Sequence, residues 1–398
     1  MHWTSELVIP SRVPSRREHG DARRRPCPPS LKSLALAGRI AAATLTALFL
    51  IPAAASAQDS AAAVDPPPYQ PASATAATDN LSRWVDLQTA NVLGRFRYVE
   101  NSAHVVTARQ LQDSLSLRAR LKLDPGARLS VTGAAATGTS FTGSWNNTGI
   151  GTGDPVHALS VKQLYFGAVP WGGVEVSYGG LAPIRGESTE ITSYDNDGYM
   201  VGERVSLRRP KDLFFDEISA TAGFLGDVET PNVFRRLDRL GEINYGQILA
   251  SKKATSWLTA SADVTRVSNV STVRAAATVG VAASNILDTV RYEQYARTGE
   301  DAAFGYAVTA EKALGRRLTA GLGYADIDQN YGGLNGDRYG SGRRLFETGG
   351  IRLWSALSLA MFATQAFHDD VAISNHQRVD VVLTYNVLAT LKRAGLIR

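Results

Sequence analysis

From residue 115 to the C-terminus, apolar and polar residues alternate with a period of two, in runs joined pairwise by a few residues. Phe304, Tyr306, Val308 and Ala310 alternate with Gly305, Ala307 and Thr309; after the turn EKALGRR, Leu318, Ala320, Leu322 and Tyr324 alternate with Thr319, Gly321 and Gly323. Successive side chains of a strand point to opposite faces, so each run carries one apolar face and one small or polar face. Leu115, Leu117, Ala119, Leu121 and Leu123 are interleaved with Ser116, Arg118, Arg120 and Lys122, and the turn LDPGAR leads to Leu129 and Val131. The same alternation follows the turns VPWGG, KKATSW and RLWSA, and it returns through Val381, Leu383, Tyr385 and Val387.

A soluble β-sandwich or β-helix also alternates. Tight turns on one side and long polar loops on the other instead favour an all-β chain forming a transmembrane antiparallel β-barrel, with short periplasmic turns and long extracellular loops. The spacing predicts about 16 strands, within a range of roughly 14 to 18. The first is expected near 90–100 and the last near 378–391. No run after residue 57 is long and apolar enough for a transmembrane helix, and a spanning sheet must close because lipid offers no partners to a strand edge. Trp171, Trp257 and Trp354 fall at or beside short turns, where amphipathic rings anchor a membrane interface.

Residues 1–57 read as a cleaved signal peptide: a basic stretch, an apolar core from Ile40 to Ile51 too short to span, and Ala55-Ser56-Ala57 before the expected cut at Gln58. Residues 58–82, rich in Ala and Pro, read as a flexible periplasmic lead-in, and 83–398 as the outer-membrane barrel. The signal holds eight Lys and Arg against three acids, so the full chain's 42 bases and 37 acids leave 34 of each (42 − 8 and 37 − 3). The basic balance therefore belongs to the signal and gives no reason to expect nucleic-acid binding. Cys27, the only cysteine, leaves with it, so the remainder has neither disulfide nor thiolate metal site.

In its signal, short turns and long loops the chain resembles the general porins of Gram-negative outer membranes. The resemblance implies a water-filled path for small hydrophilic solutes, delivery by the barrel-insertion machinery, contact with outer-membrane lipid and lipopolysaccharide, and homotrimeric assembly. It also implies that the loop at 183–200, between the fifth and sixth strands, folds into the barrel as a constriction bearing Glu187, Glu190, Asp195 and Asp197. The aromatic C-terminal residue common in such barrels is missing from the ending TLKRAGLIR.

Independently of that resemblance, Arg95, Arg97, Arg118, Arg120, Lys122, Arg128, Lys162, Arg204 and Arg274 share the polar phase and are expected to face the lumen, drawing anions unless acids such as Glu175, Asp263, Glu293 and Asp380 cancel them. Arg235, Arg236 and Arg239, in the loop at 230–246, could meet anionic lipopolysaccharide or line the mouth. Asp195-Asn196-Asp197-Gly198 is a fragment of a calcium loop without the remaining ligands, so no metal or cofactor is expected. A non-conducting structural or adhesive barrel is the alternative to a channel. A hydrolase is a further alternative, but His104, His157, His368 and His376 stand in no nucleophile–base pattern, so no catalytic residue is assigned.

Overall fold

A computed structural model describes residues 83–140, 143–189, 199–208, 214–226, 230–281, 286–299, 302–328, 340–367 and 375–397. The expected signal and lead-in lie outside the described residues. The chain goes up and down through β1 (Val85–Glu100), β2 (Val106–Lys122), β3 (Leu129–Thr137), β4 (Asn146–Gly151), β5 (Leu159–Trp171), β6 (Val174–Leu181), β7 (Met200–Leu207), β8 (Glu217–Phe224) and β9 (Tyr245–Lys253). It continues through β10 (Leu258–Val267), β11 (Val270–Gly280), β12 (Thr289–Arg297), β13 (Ala303–Leu314), β14 (Leu318–Ile327), β15 (Gly342–Arg352), β16 (Leu357–Ala366) and β17 (Gln377–Asn386).

Sixteen of these strands form the wall. Each pairs antiparallel with its neighbour, β3 pairs directly with β5, and β1 pairs with both β2 and β17, which closes the barrel. The short β4 lies outside that count, adding only to the upper half of β2 at Gln110–Asp113. No helix among the described residues is long and apolar enough to cross a membrane.

The alternation sorts the two faces as the sequence requires. Leu111, Leu115, Leu117 and Leu121 are exposed on the outer surface of β2, whereas Gln112, Ser114 and Arg120 between them are buried inside. Val308 and Leu322 face outward while Ala307, Thr309 and Ala325 are buried. Gly323 shows why small residues alternate here: the Phe346 ring crosses its inner face, and a Cβ would meet that ring at 2.0 Å. Outside, Tyr292, Phe304, Tyr306, Tyr324 and Phe367 form a chain of rings with centroids 6.1–6.4 Å apart. At the opposite rim Trp84, Trp171, Trp257 and Trp354 are all exposed. Two aromatic girdles bounding an apolar belt are what a membrane-embedded barrel needs at its two interfaces.

All five short turns read from the sequence lie at one rim, together with the start of β1 and the end of β17. The other rim is less uniform than expected. It carries long connections at 138–158, 182–199 and 225–244, but also tight ones at 101–105, 268–269 and 298–302. The β10–β11 hairpin turns in two residues because Ser268 takes a positive φ of 53°, the twist-compatible geometry of a two-residue hairpin.

The last strand is shorter than expected. Strand structure stops at Asn386, and Val387–Arg393 forms a helix, α1. Asn386 caps it by accepting from the Ala389 N–H at 2.8 Å, Lys392 and Arg393 occupy its last turn, and Gly395 follows with φ 69°. Those helix start and stop signals outweigh the continuing apolar alternation.

Candidate functional site

Inward-facing residues divide into two walls. On the first, β1, β2 and β17 carry two groups at different heights: Arg95, Arg97 and Arg378 gather in the loop-side half, where Arg97 is the direct partner of Asp380 and Arg95 faces Gln112, while Arg118 and Arg120 lie near the short-turn end, where Arg120 faces Asp86. Asp380 is the hub, accepting from Arg97 Nε at 2.9 Å and Arg378 Nη2 at 2.6 Å, with Arg95 Nη1 at 3.8 Å. Arg95 also donates to Gln112 Oε1 at 2.5 and 2.9 Å and stacks 3.9 Å from the Trp145 ring. Arg120 reaches Asp86 at 2.7 Å, and Arg118 donates to the Tyr165 hydroxyl at 3.0 Å. Asp380 thus receives Arg95, Arg97 and Arg378, and Asp86 receives Arg120.

The second wall is formed by β9 to β12, opposite the first, with β11 standing eight strands from β2 around the 16-strand wall. Here Arg274 and Asp263 form a buried pair, and other acids hold a loop. Arg274, 1% exposed, binds Asp263 in a bidentate manner at 2.7 and 2.9 Å and also donates to Thr265. The start of the long β6–β7 connection comes inward and docks on this wall. Gln247 Nε2 donates to the Ile184 carbonyl at 2.8 Å and to Asp263 at 2.8 Å. Glu187 accepts from Thr278 Oγ1 at 2.5 Å, and its N–H donates to Ser261 Oγ at 2.7 Å. Thr189 gives both its N–H and its hydroxyl to Glu293, at 2.8 and 2.6 Å. Of the four acids expected in this loop, Glu187 therefore sits inside the barrel; Glu190, Asp195 and Asp197 lie outside the described residues.

The bases expected in the lumen do not stand on one wall, because a shared phase says only that side chains point inward. Arg95, Arg97, Arg118, Arg120 and Lys122 are on adjacent strands, but Arg274 is across the barrel. Lys162, 1% exposed, donates to the carbonyls of Ser140 and Gly143 and so pins the inward part of the β3–β4 connection. Arg204 holds Thr221 and the Ala182 carbonyl at the root of the inward loop. Arg128 is in the β2–β3 turn at the rim. Of the anticipated acids, Glu175 pairs with Arg208 at 2.9 Å.

Sequence reasoning missed Arg378, although it shares a strand face with Asp380 two residues on. It also missed the inward aromatics Tyr295, Phe346 and Phe362, which form a buried patch on β12, β15 and β16. The segment holding Arg235, Arg236 and Arg239 folds back on the outer wall: Val233 is wholly buried and packs over Gly180, where a Cβ would meet it at 2.1 Å. Arg236 is sealed there, 5.0 Å from the Tyr199 ring, and Arg239 is paired with Glu242 at 2.6 Å.

No family model matches the chain, and no curated protein matches it. Solved structures do. A variant of the Rhodopseudomonas blastica porin aligns at a TM-score of 0.51 with 12% identity, over 76% of this chain and 99% of that one. OmpF of Salmonella typhi, in complex with daunomycin, aligns at 0.53 with 10% identity, over 77% of this chain and 99% of that one. At these identities the likeness is one of fold: the chain has the closed 16-strand barrel of bacterial porins.

Proposed function

We propose that this chain is a porin-like outer-membrane channel for passive diffusion of small hydrophilic solutes, with a preference for anions. The observation that carries this reading is the opposition of the two walls. Arg95, Arg97 and Arg378 converge on Asp380 on one side, with Arg118 and Arg120 nearer the short-turn end of the same side, and the inward loop docks on the side facing them. Fixed charge acts more strongly across a narrow, low-dielectric path than at a rim, so an arginine-rich wall favours anions even in a chain with equal numbers of bases and acids beyond the signal. The apolar outer belt with two aromatic girdles supports the membrane location, and the export signal read at residues 1–57 supports the outer membrane. On this reading the lumen is lined by Arg95, Arg97, Arg118, Arg120 and Lys122, with Lys162, Arg204 and Arg274 serving mainly to hold structure.

The test is planar-bilayer recording of the purified, folded barrel in a salt gradient. The wild type should conduct with a reversal potential on the anion side, and Arg118→Glu with Arg120→Glu should move it toward cations. Folded protein that forms no pore would instead support the structural or adhesive alternative. An unchanged reversal potential in the double variant would remove this wall from the selectivity mechanism. Release of fatty acid from outer-membrane lipid in micelles would point to a hydrolase.

A further inference from the structure

In the loop-side half of the first wall an indole lies inside the barrel. β4 pairs with β2 so that Asn146 stands opposite Asp113 and Asn147 opposite Gln112. Gln112 and Ser114 are buried inside and Asp113 between them has the outward phase, so Trp145, one residue before Asn146, falls on the inward phase. The chain on either side of it is fixed. The Ser144 carbonyl accepts from Thr137 Oγ1 at 2.6 Å, and Asn146 Oδ1 accepts the N–H groups of Gly138 and Ala158 at 3.2 and 3.0 Å. Lys162 holds the Gly143 carbonyl two residues before the indole, at 2.8 Å.

The indole rests on Arg95, whose guanidinium carbon is 3.9 Å from the ring centroid. Arg95 is buried beneath it and Trp145 is only half-buried, so the exposure that the ring retains is on the side turned away from the wall. Arg97 stands two residues along β1 on the same face, about 7 Å away. Its side chain is 22% exposed, against 5–7% for Arg95, Arg378 and Asp380, which makes it the member of the cluster that a solute can reach. Asp380 takes two of its five N–H donors, Nε at 2.9 Å and Nη2 at 3.3 Å, and Nη1 carries others.

The two groups ask for different things of one molecule. A guanidinium offers donors only, so its partner must bring acceptor oxygens, best in the planar, charged form of a carboxylate. An indole face favours a second flat ring in offset stacking. From this juxtaposition we infer that Trp145 and Arg97 form a binding subsite for aryl carboxylates, with the ring stacked on the indole and the carboxylate on the exposed edge of Arg97. The subsite rests on the water-filled lumen proposed above for access, and it names the class of solute that the lumen retains. Occupancy requires no current.

The experiment is calorimetric titration of the folded, full-length barrel in micelles with 2-naphthoate, and with cyclohexanecarboxylate and 2-naphthalenemethanol as probes lacking the flat ring or the charge. One naphthoate should bind per chain, more tightly than either control. Trp145→Ala should weaken naphthoate about tenfold and leave cyclohexanecarboxylate unchanged, while Trp145→Phe should keep most of the affinity. Arg97→Lys, which keeps the charge but not the planar fork, should weaken both carboxylates and leave the alcohol unchanged. Circular dichroism verifies that each variant is folded. Naphthoate that binds Trp145→Ala as well as wild type, or binds wild type no better than the alcohol does, would overturn the subsite. A barrel that binds naphthoate in this pattern yet carries no current in bilayers would refute the channel and uphold the subsite; one that conducts but binds no naphthoate would refute the subsite alone.

Discussion

The two inner walls use the same residue types to opposite effect. On the β9–β12 wall, Arg274 and Asp263 satisfy one another, while Glu187 and Glu293 are engaged by the hydroxyls and N–H groups of the docked loop. On the β1–β2–β17 wall, Asp380 is divided among Arg95, Arg97 and Arg378, and Arg118 has a phenol for its partner. The first arrangement uses charge to fix a loop. The second gathers three guanidinium groups on one carboxylate. Counting arginines along a strand therefore does not measure selectivity; how they are grouped around acids decides the local field.

The sharpest way to break this contrast is to remove the central acid from each wall. Asp263→Ala leaves Arg274 buried without its counter-ion, and losing one partner of such a pair costs about 3–5 kcal/mol. Asp380→Ala should destabilise to a similar degree. The two variants should differ in conduction, however. Asp380→Ala should push the reversal potential further toward anions because it removes one acid from three arginines, whereas Asp263→Ala should change it less because only Arg274, which also binds Thr265, loses its carboxylate. Urea unfolding in micelles measures the first effect and bilayer recording the second. Replacing Asp263 and Arg274 together by leucine should recover most of the lost stability, since the desolvation cost disappears with both charges.

This contrast also marks how far the sequence could be read. The barrel was legible because period two and tight turns are local properties: Leu115 to Leu123 and Phe304 to Tyr324 display their faces without reference to any other strand. Which polar residues meet is not local. Arg97 and Asp380 are 283 residues apart, and only closure of β1 against β17 brings them together. The phase of Arg274 was readable, but its place across the barrel from Arg118 depends on how many strands lie between. The inward course of the loop at Glu187 came from resemblance alone, because Ser261, Thr278 and Glu293, which hold it, carry no pattern marking them as a docking surface. Helix α1 was overlooked although its signals, an Asn cap and a trailing Gly, were present in the sequence.

A milder change tests whether the second wall's role is to hold the loop. Thr189 and Glu293 share two hydrogen bonds, and Glu293→Gln keeps the volume while leaving only one oxygen to accept them. A lost hydrogen bond of this kind is worth about 0.5–1.5 kcal/mol, too little to unfold the barrel but enough to raise the population of a released loop several-fold. Single-channel conductance should become larger or noisier, with the reversal potential nearly unchanged. Deleting residues 187–197 should give the same change in larger measure. If neither variant alters conductance, the loop does not limit the path.

The smallest effect lies at the short-turn rim, where each wall ends in a turn held by a half-buried aspartate. Below the first wall, Asp124 accepts backbone N–H groups from Leu129 at 2.6 Å and Gly126 at 2.9 Å, and chiefly the Leu129 bond lowers its pKa. Below the second, Asp288 is lowered first by the Lys312 ammonium at 2.7 Å and then by the Ala313 N–H. A carboxyl with a depressed folded pKa contributes stability that is fully present above its unfolded value, about 3.9, and is lost as pH falls through the folded one. Unfolding midpoints should therefore drop on acidification below about pH 4, and Asp124→Asn and Asp288→Asn should each flatten part of that drop. Salt separates the two turns. A solvent-accessible ion pair at the rim is screened by salt, whereas hydrogen bonds from neutral N–H groups are much less sensitive. Raising ionic strength should shrink the contribution removed by Asp288→Asn and leave that of Asp124→Asn nearly intact; equal sensitivity in both would mean that Lys312 is not the main source of the Asp288 shift.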